Sequence, residues 1–385
     1  MGKFMQRYFM TTAWKPGLIA GIVTSLISCC VTAAEPIETV QGEMARQLAE
    51  RDGKPESFVE YSLDYSPRVF FHAALEPAAG IIHGAGQDPE SYRDYSILFP
   101  EDQRPMMQMT YITITDGAQK VRDWQARVQA ALKNLAPQNT TLQIGLNMTT
   151  GNDDGSGAAE RVALGDYDLA IDSFVQALIS FGVPAYVRIG YEFEGAWNGY
   201  SAPGFVSAFK YITAKMRDAK LPGIATVWCA AGGSAGFIGF DQLLSYYPGD
   251  EYVDWWGVDI FSPEEMANPW LADFYSLAGR HEKPVMIGEA TPRYVGADKN
   301  WQSWTRWYKP FFEMVRKYPE IKAISYINWD WVYWSDELGF GWHDWEDARI
   351  QNDEVVRKLY IEELSHPIWI HAPDAGRIIQ PGSPH

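Results

Sequence analysis

The chain has few cysteines for its length, and this limits how the fold can be stabilised. Only three of the 385 residues are cysteine: Cys29, Cys30 and Cys229. The first two belong to the N-terminal leader described below, which leaves Cys229 alone in the rest of the chain. One cysteine cannot form an internal disulfide. We therefore expect a fold that depends on its hydrophobic core rather than on covalent cross-links.

Positive charge is also scarce. Lysine and arginine total 32 against 49 aspartates and glutamates, which gives a formal net charge of −17. Nucleic acids and anionic membranes attract positively charged proteins, so neither is expected as a partner. A neutral substrate is compatible with this acidic chain. Hydrophobic residues make up 46% of the sequence and charged residues 21%, the balance of a globular protein with a substantial core.

Motifs that would indicate a cofactor or a metal are missing or incomplete. Residues 84–87 (Gly-Ala-Gly-Gln) lack the third glycine of a dinucleotide-binding fingerprint. The seven histidines include no His-x-His pair and no His-Glu-x-x-His motif, so no metal site and no cofactor are predicted. The run Asn-Asp-Asp-Gly at residues 152–155 could bind Ca²⁺, but the same residue types are ordinary in loops.

The first 34 residues have the pattern of an export signal. Lys3, Arg7 and Lys15 supply positive charge, no acidic residue occurs before Glu35, and an apolar run covers residues 17–28. That run is shorter than the ~20 residues a membrane-spanning helix needs. We therefore expect an exported protein that is periplasmic, secreted or attached to the cell surface.

Two cleavage sites compete within this leader. Residues 31–33 (Val-Thr-Ala) suit ordinary secretory cleavage near Ala33 or Ala34, whereas residues 26–29 (Leu-Ile-Ser-Cys) resemble a lipobox, in which Cys29 would carry lipid. The sequence leaves both open. A membrane association is expected only through that lipid, and the chain is expected to be monomeric.

Short apolar runs alternate with helical patterns eight times. The predicted strands cover residues 80–85, 106–112, 142–147, 185–191, 224–229, 255–260, 284–288 and 323–328. The clearest amphipathic segments between them cover residues 118–135, 166–181, 204–219 and 301–318. Prolines that end a loop precede four of the strands, at Pro105, Pro184, Pro222 and Pro284.

Eight strand–helix units in one run predict a (β/α)8 TIM barrel, an α/β fold. We assign residues 35–75 to an N-terminal lead-in packed on the barrel and residues 76–365 to the barrel itself. Residues 366–385, which contain four prolines, are predicted to form an irregular C-terminal strap.

Catalytic residues of such barrels collect at the C-terminal ends of the strands. Two apolar strands each run directly into a glutamate there: the fourth into Glu192 and the seventh into Glu289. A carboxylate at an apolar strand end costs desolvation free energy unless it has partners. A structural ion pair, for example between Glu192 and Arg188, would explain one such glutamate. Two of them on opposing strands favour glycoside cleavage, which needs one protonated and one ionised carboxyl group.

The segment around Glu192 resembles the glycoside hydrolases of clan A, and most closely glycoside hydrolase family 26. The family pattern places an Arg four residues before the acid/base, a Gly three after it and a Trp five after it. This sequence has Arg188, Glu192, Gly195 and Trp197 at those positions. The resemblance implies a retaining hydrolase with Glu192 as acid/base and Glu289 as nucleophile. The substrate it implies is a β-linked polysaccharide.

Two positions depart from the family pattern, and one glutamate competes for the acid role. Tyr191 stands where the family usually has His, and Phe261 stands where strand six commonly offers a Tyr to the nucleophile. Glu194 shares a strand face with Glu192 at i and i+2, but Gly195 suggests that the strand has ended by then. We prefer Glu192 and keep Glu194 as the alternative.

Aromatic and polar residues near strand ends complete the predicted site. Five of the sixteen tryptophans lie between Trp329 and Trp345, after strand eight, and indole faces pack well against sugar rings. The predicted substrate-binding residues are Arg188, Trp197, His83, Tyr111, Asn147, Tyr191, Asp259, Trp329 and Trp331. Core packing is the competing explanation for the tryptophans and for His83.

The sequence thus predicts an endo-acting retaining glycanase on mannan, xylan, glucan or a related galactan. The alternative is a catalytically inactive barrel that binds glycan at the cell surface. The presence of both glutamates argues against that alternative.

Overall fold

The computed structural model describes residues 64–134, 140–149, 157–221, 223–339 and 341–378. The predicted leader with Cys29, most of the lead-in, residues 152–155 and the last part of the strap lie outside these ranges. No helix of the described ranges is long and apolar enough to cross a membrane.

Eight parallel strands form a closed barrel. Each strand pairs with its neighbours in sequence, and β1 also pairs with β8, so the ring closes. The strands are β1 (Ile81–Gly86), β2 (Met107–Thr113), β3 (Thr141–Asn147), β4 (Ala185–Ile189), β5 (Ile224–Ala230), β6 (Trp255–Ile260), β7 (Val285–Ala290) and β8 (Ile321–Tyr326). All eight predicted strands are present within a few residues of their predicted bounds. The prediction of a (β/α)8 barrel is confirmed.

Helices connect the strands and cover the barrel. Those of eight residues or more are α1 (Pro89–Ser96), α2 (Ala118–Asn134), α4 (Asp168–Phe181), α5 (Ala202–Asp218), α8 (Pro269–Arg280), α10 (Lys309–Lys317), α11 (Trp331–Leu338) and α12 (Glu354–Leu364). Shorter ones are α3 (Ala158–Ala163), α6 (Phe240–Leu244), α7 (Pro263–Met266) and α9 (Trp301–Ser303). In α2 the buried side chains are Val121, Trp124, Val128 and Ala131. Their spacing of three and four residues places them on one face, against the sheet.

The helical segment predicted at residues 301–318 is present but is not a regular α-helix. Between α9 and α10 the turns widen into a π-helix over Trp304–Tyr308. Pro310 lies in the first turn of α10 and has no N–H to donate. The preceding N–H, that of Lys309, reaches back five residues to the carbonyl of Trp304, which gives the wider turn.

The end of the lead-in packs against the barrel beside β8. The Arg68 guanidinium donates to the carbonyls of Val315, Arg316, Tyr318 and Ile321, which lie at and after the end of α10. A cation there satisfies carbonyls that have no partner within the helix. Nearby, Lys322 on β8 pairs with Glu76 at 3.2 Å, and both side chains are fully buried.

The described part of the strap, residues 366–378, adds a short strand and a 3₁₀-helix. β9 (Trp369–Ile370) pairs in parallel with the first two residues of β1, and the 3₁₀-helix covers Ala372–Arg377. Ile378 then forms an antiparallel bridge with Pro77. No strand was predicted in this tail, because the two residues of β9 are too few to produce a periodic pattern.

Candidate active site

Arg188 is the centre of the polar network inside the barrel. Its side chain is fully buried on β4 and forms ion pairs with Asp259 on β6 and Glu289 on β7. The Nη1–Oε1 distance to Glu289 is 2.8 Å. Burial of one unpaired charge is costly, and the two carboxylates together compensate the guanidinium. The alternative pairing of Arg188 with Glu192 is not what the structure shows.

Gly288 makes room for this network. A Cβ atom at this position would lie 2.7 Å from Oδ1 of Asp259 and 2.8 Å from Nε of Arg188. Any larger residue would therefore push the guanidinium away from β7. The glycine directly before Glu289 is explained by the close approach of Arg188.

Glu192 lies just beyond the end of β4 in a different environment. Its side chain is buried, and its Oε2 accepts a hydrogen bond from the Trp197 indole at 3.0 Å. Burial raises the pKa of Glu192 well above its ordinary value. The negative charges of Glu289 and Asp259 raise this pKa further, and Arg188 opposes them. The two glutamates thus interact electrostatically, and this interaction favours the protonated form of Glu192.

The backbone at Glu192 adopts a left-handed conformation, with φ of +54°. Several hydrogen bonds hold this unfavourable geometry. The Glu192 N–H donates to the carbonyl of Cys229 at 2.8 Å, and the Asn198 amide donates to the carbonyls of Tyr191 and Glu192 at 3.1 and 2.9 Å. Strain of this kind persists only where the surroundings over-determine it. Here the surrounding bonds fix the direction of the Glu192 side chain.

Asn147 supports Asn198 from β3. Its Nδ2 donates to Oδ1 of Asn198 at 3.2 Å, and its own Oδ1 accepts the Thr149 N–H at 2.7 Å. The side chain is fully buried. Asn147 therefore positions Asn198, and its predicted contact with sugar stays a prediction. The sequence analysis missed Asn198 itself, because Asn198-Gly199 is an ordinary turn signal.

Glu194 is occupied by backbone groups of the β5 loop. Its two carboxyl oxygens accept the N–H groups of Ala231 and Gly232, each at 3.0 Å. Burial raises the pKa of Glu194 to about 7, although these two hydrogen bonds act in the opposite direction. The geometry assigns Glu194 to holding the β4 and β5 loops together. This favours Glu192 over Glu194 as the acid.

Two tyrosines line the barrel wall beside Arg188. The guanidinium lies 4.8 Å from the ring centre of Tyr191, and the rings of Tyr191 and Tyr111 are 5.6 Å apart. Burial and the charge of Glu289 raise the pKa of Tyr111 well above its ordinary value. Gly145 allows this packing, since a Cβ there would lie 2.5 Å from the Tyr111 ring. Both predicted tyrosines thus lie in the Arg188 network.

Asp259 belongs to the same network. It is almost completely buried, paired with Arg188, and within 3.4 Å of the Cys229 thiol. The structure thus shows Asp259 as a counter-ion of Arg188, and its contact with substrate stays a prediction. Cys229 lies inside the barrel, where burial raises its thiol pKa well above the ordinary value.

His83 lies outside the site. Its Nδ1 is 3.1 Å from Nδ1 of His371 in the C-terminal segment, and its Nε2 is 2.8 Å from the Tyr95 hydroxyl on α1. Burial lowers the pKa of His83 well below its ordinary value. Both ring nitrogens of His83 have partners in the layer that packs outside β1, so the structure does not bring this residue together with the two glutamates. This placement favours the core-packing explanation for His83.

Trp329 and Trp331 belong to a cluster of tryptophans that follows β8, which we call the aromatic cluster. Its members are Trp329, Trp331, Trp334, Trp342 and Trp345. Only 7% of Trp329 and 5% of Trp331 is exposed. Each of these two rings is packed against others of the cluster, so little of either is open to solvent. Their binding of sugar stays a prediction.

The described residues contain no group of three or more His, Cys, Asp or Glu side chains that could hold a metal ion. The possible Ca²⁺ loop at residues 152–155 lies outside the described ranges.

The raised pKa of Glu194 predicts a pH-dependent stability. Its folded pKa of about 7 exceeds the ordinary 4.5. The associated stabilisation is complete below the unfolded pKa and is lost as the pH rises through about 7. Glutamine cannot ionise. We therefore expect the unfolding free energy of wild type, relative to that of Glu194→Gln, to fall between about pH 5 and about pH 8.

Thermal and denaturant unfolding followed by circular dichroism at several pH values would measure this difference. The exposed Glu337, changed to Gln, serves as the control and should show no such trend. A wild-type advantage over Glu194→Gln that stays constant with pH would mean that Glu194 remains ionised throughout.

Similar proteins were identified by sequence and by fold. The family model for glycosyl hydrolase family 26 matches residues 147–330. A β-1,3-xylanase, TXYA, from a Vibrio species is 30% identical over 322 residues, which cover 78% of this chain and 68% of that protein. A β-1,3-xylanase from an Alcaligenes species is 28% identical over 323 residues, covering 78% and 67%.

Solved structures agree on the fold. A family 26 β-mannanase from Bacteroides ovatus superimposes with a TM-score of 0.56 at 13% identity, covering 80% of this chain and 95% of that one. An endo-β-1,4-mannanase from Cellulomonas fimi gives 0.56 at 14% identity, covering 77% and 72%. Such low identity supports the barrel fold alone. The family assignment rests on the sequence relatives: the chain belongs to glycoside hydrolase family 26 and is a glycoside hydrolase.

Proposed function

We propose that the chain is an endo-acting, retaining β-glycanase whose substrate is β-1,3-xylan. The observation that carries the mechanism is the unequal environment of the two strand-end glutamates. Glu289 is paired with the buried Arg188, whereas burial and neighbouring carboxylates raise the pKa of Glu192. Glycosidases need this difference, because one carboxyl group donates a proton while the other attacks as an anion.

In the proposed reaction, Glu192 protonates the leaving glycosidic oxygen as the Glu289 carboxylate attacks the anomeric carbon. The C–O bond to the leaving group breaks and a covalent glycosyl–Glu289 ester forms. Glu192, now ionised, removes a proton from water, and that water displaces Glu289 from the sugar. Two inversions at the same carbon give net retention. We expect the two carboxyl groups to be about 5–5.5 Å apart, the separation typical of retaining enzymes.

The pairing of Arg188 with Glu289 serves this cycle in two ways. A guanidinium at 2.8 Å supplies a counter-charge beside the carboxylate that attacks the sugar. It also restricts rotation of the carboxylate, because Arg188 is itself fixed by Asp259. The same charge opposes the rise in the pKa of Glu192, but burial and the nearby carboxylates outweigh it.

The substrate proposal rests on the relatives. Both curated proteins described above are β-1,3-xylanases, and each aligns with 78% of this chain. Their names favour xylan over the other polysaccharides that the sequence analysis left open. The competing function, an inactive glycan-binding barrel, does not require two carboxyl groups with such different environments.

Incubation with a panel of polysaccharides tests the proposal. The panel should contain β-1,3-xylan, β-1,4-xylan, β-mannan and β-glucan. We expect cleavage of β-1,3-xylan. Because an endo-acting enzyme cuts within the chain, oligosaccharides of several lengths should form early in the reaction.

Proton NMR of fresh products tests the stereochemistry and should show the β-anomer first. An α-anomer would indicate inversion, with Glu289 as a base and carboxyl groups about 6.5–9.5 Å apart. Binding without cleavage of any polymer would favour the glycan-binding alternative.

Because only Glu192 is proposed to protonate the leaving group, the activity of a Glu192 variant should depend on how much protonation the leaving group needs. Glu192→Ala should lower cleavage of xylan by roughly 10²- to 10⁴-fold, the usual contribution of a general acid. Activated aryl xylosides have leaving groups that need no proton, so they should still form the glycosyl–enzyme ester. Added azide should then replace water and yield a β-glycosyl azide. Glu289→Ala should lose activity on both substrates.

Glu194→Gln is the matched control in this experiment, because it removes a carboxylate two residues away. It should keep the wild-type preference between aryl xylosides and xylan. If Glu192→Ala loses activity equally on both substrates and azide restores none, then Glu192 is not the acid/base. Glu194 would be the next residue to test.

We also propose that the chain is exported, on the leader pattern of residues 1–34. Lipid attachment at Cys29 would tether the enzyme, and cleavage near Ala33 would release it. Growth of the expressing cells with labelled fatty acid, comparing wild type with Cys29→Ala, distinguishes the two. The lipoprotein interpretation predicts label on wild type alone. An unlabelled wild-type protein would leave only ordinary secretory cleavage.

A further inference from the structure

The aromatic cluster divides into buried and partly exposed rings. Trp329 and Trp331 are buried, whereas Trp334, Trp342 and Trp345 are partly exposed. Tyr333, next to Trp334 on α11, keeps 51% of its surface exposed. Tyr333 and Trp334 are adjacent aromatic residues at the surface, and the mechanism above gives neither of them a task.

Trp334 is held flat on a buried partner. Its ring stacks on that of Trp329 with centroids 5.6 Å apart and an interplanar angle of 12°. Tyr333 stands edge-on to Trp334 at 5.2 Å. The Asp330 side chain caps α11 by accepting the Tyr333 N–H at 2.9 Å. One face of Trp334 is thus supported, and both side chains extend from a capped first turn.

The cluster is attached to the end of the strand that carries the nucleophile. The Trp331 indole donates to Oγ1 of Thr291, two residues after Glu289, at 3.3 Å. The Ile327 N–H donates to the carbonyl of Ala290 at 2.9 Å. A polysaccharide chain that runs out of the cleft on this side would therefore meet the aromatic cluster.

The charges of α11 favour a neutral glycan. Helix α11 contains Asp336 and Glu337, both exposed, and no basic residue. The two arginines beside the cluster each have an acidic partner: Arg293 pairs with Asp344, and Arg349 pairs with Asp330. The whole chain carries a formal net charge of −17. Sulfated or uronic-acid polysaccharides would be repelled by this surface, but a neutral xylan would not.

We propose that Trp334 and Tyr333 form a distal binding surface for a neutral β-linked xylan chain, continuous with the catalytic cleft. The C–H faces of xylose rings pack on the indole and phenol rings several sugars away from the cleaved bond. This inference rests on the proposed function. In this proposal, helix α11 binds the distal part of long substrates.

The test compares long and short substrates in Trp334→Ala and Tyr333→Ala. Loss of an aromatic platform should raise KM for xylan by roughly threefold to tenfold, with kcat little changed. The ratio of kcat/KM for xylan to that for an aryl xyloside should fall by the same factor. Tyr252→Ala is the control, because Tyr252 is a partly exposed tyrosine that precedes β6, at the opposite end of the barrel.

A second measurement does not depend on turnover. In the Glu289→Ala background, binding of β-1,3-xylan should weaken by the same factor in both aromatic variants, and binding of a sulfated galactan should be absent. Tyr333→Ala keeps the test decisive if Trp334→Ala fails to fold, since Tyr333 is more than half exposed.

Three outcomes would overturn the inference. Unchanged KM and binding in both variants, on an enzyme that cleaves xylan, would remove the surface but leave the proposed function intact. Equal losses on xylan and aryl xyloside would place the rings in the catalytic centre instead. A wild type that neither cleaves nor binds xylan would reject the proposed function, and this inference with it.

Discussion

The active site depends on one buried positive charge. Arg188 is inaccessible to solvent, so its guanidinium is stable there only with anionic partners, and Asp259 and Glu289 supply them. Removing one partner of a buried pair commonly costs about 3–5 kcal/mol. The buried guanidinium also limits the residues of the neighbouring strand β7. Gly288 must lack a side chain, because a Cβ atom there would occupy the space of the guanidinium. The glutamate proposed as nucleophile is thus coupled to barrel stability through Arg188.

The two glutamates are held by different means. Glu289 extends from a regular strand and is fixed through its side chain by Arg188. Glu192 follows a turn at Gly190 and is fixed through its backbone, with Cys229 and Asn198 as partners. The Glu192 carboxyl group accepts a hydrogen bond from the Trp197 indole, whereas that of Glu289 has the full counter-charge of Arg188. Under the proposed mechanism an ion pair suits Glu289, because a nucleophile needs orientation and charge.

The barrel could be predicted from sequence because periodicity and proline positions mark each unit locally. The eight strands were placed within a few residues, and the strand ends then identified Glu192 and Glu289. The direction of individual side chains could not be predicted in the same way. His83 and Asp259 both lie on barrel strands, yet one packs outside the barrel and the other pairs with Arg188. Whether a buried polar residue faces substrate or another residue depends on partners from distant strands, such as Asn198 with Asn147, and local sequence does not contain that information.

The pairing of the first strand has a consequence for how the protein is made. β1 bonds to β2 at one end of its length, to β8 along its centre and to β9 at its start. Two of these three partners are formed by the last part of the chain. Contacts between such distant segments are slow to form. When only the first half of the barrel has been synthesised, one edge of β1 therefore lacks its partner strand, and β8 must be made before that edge can pair.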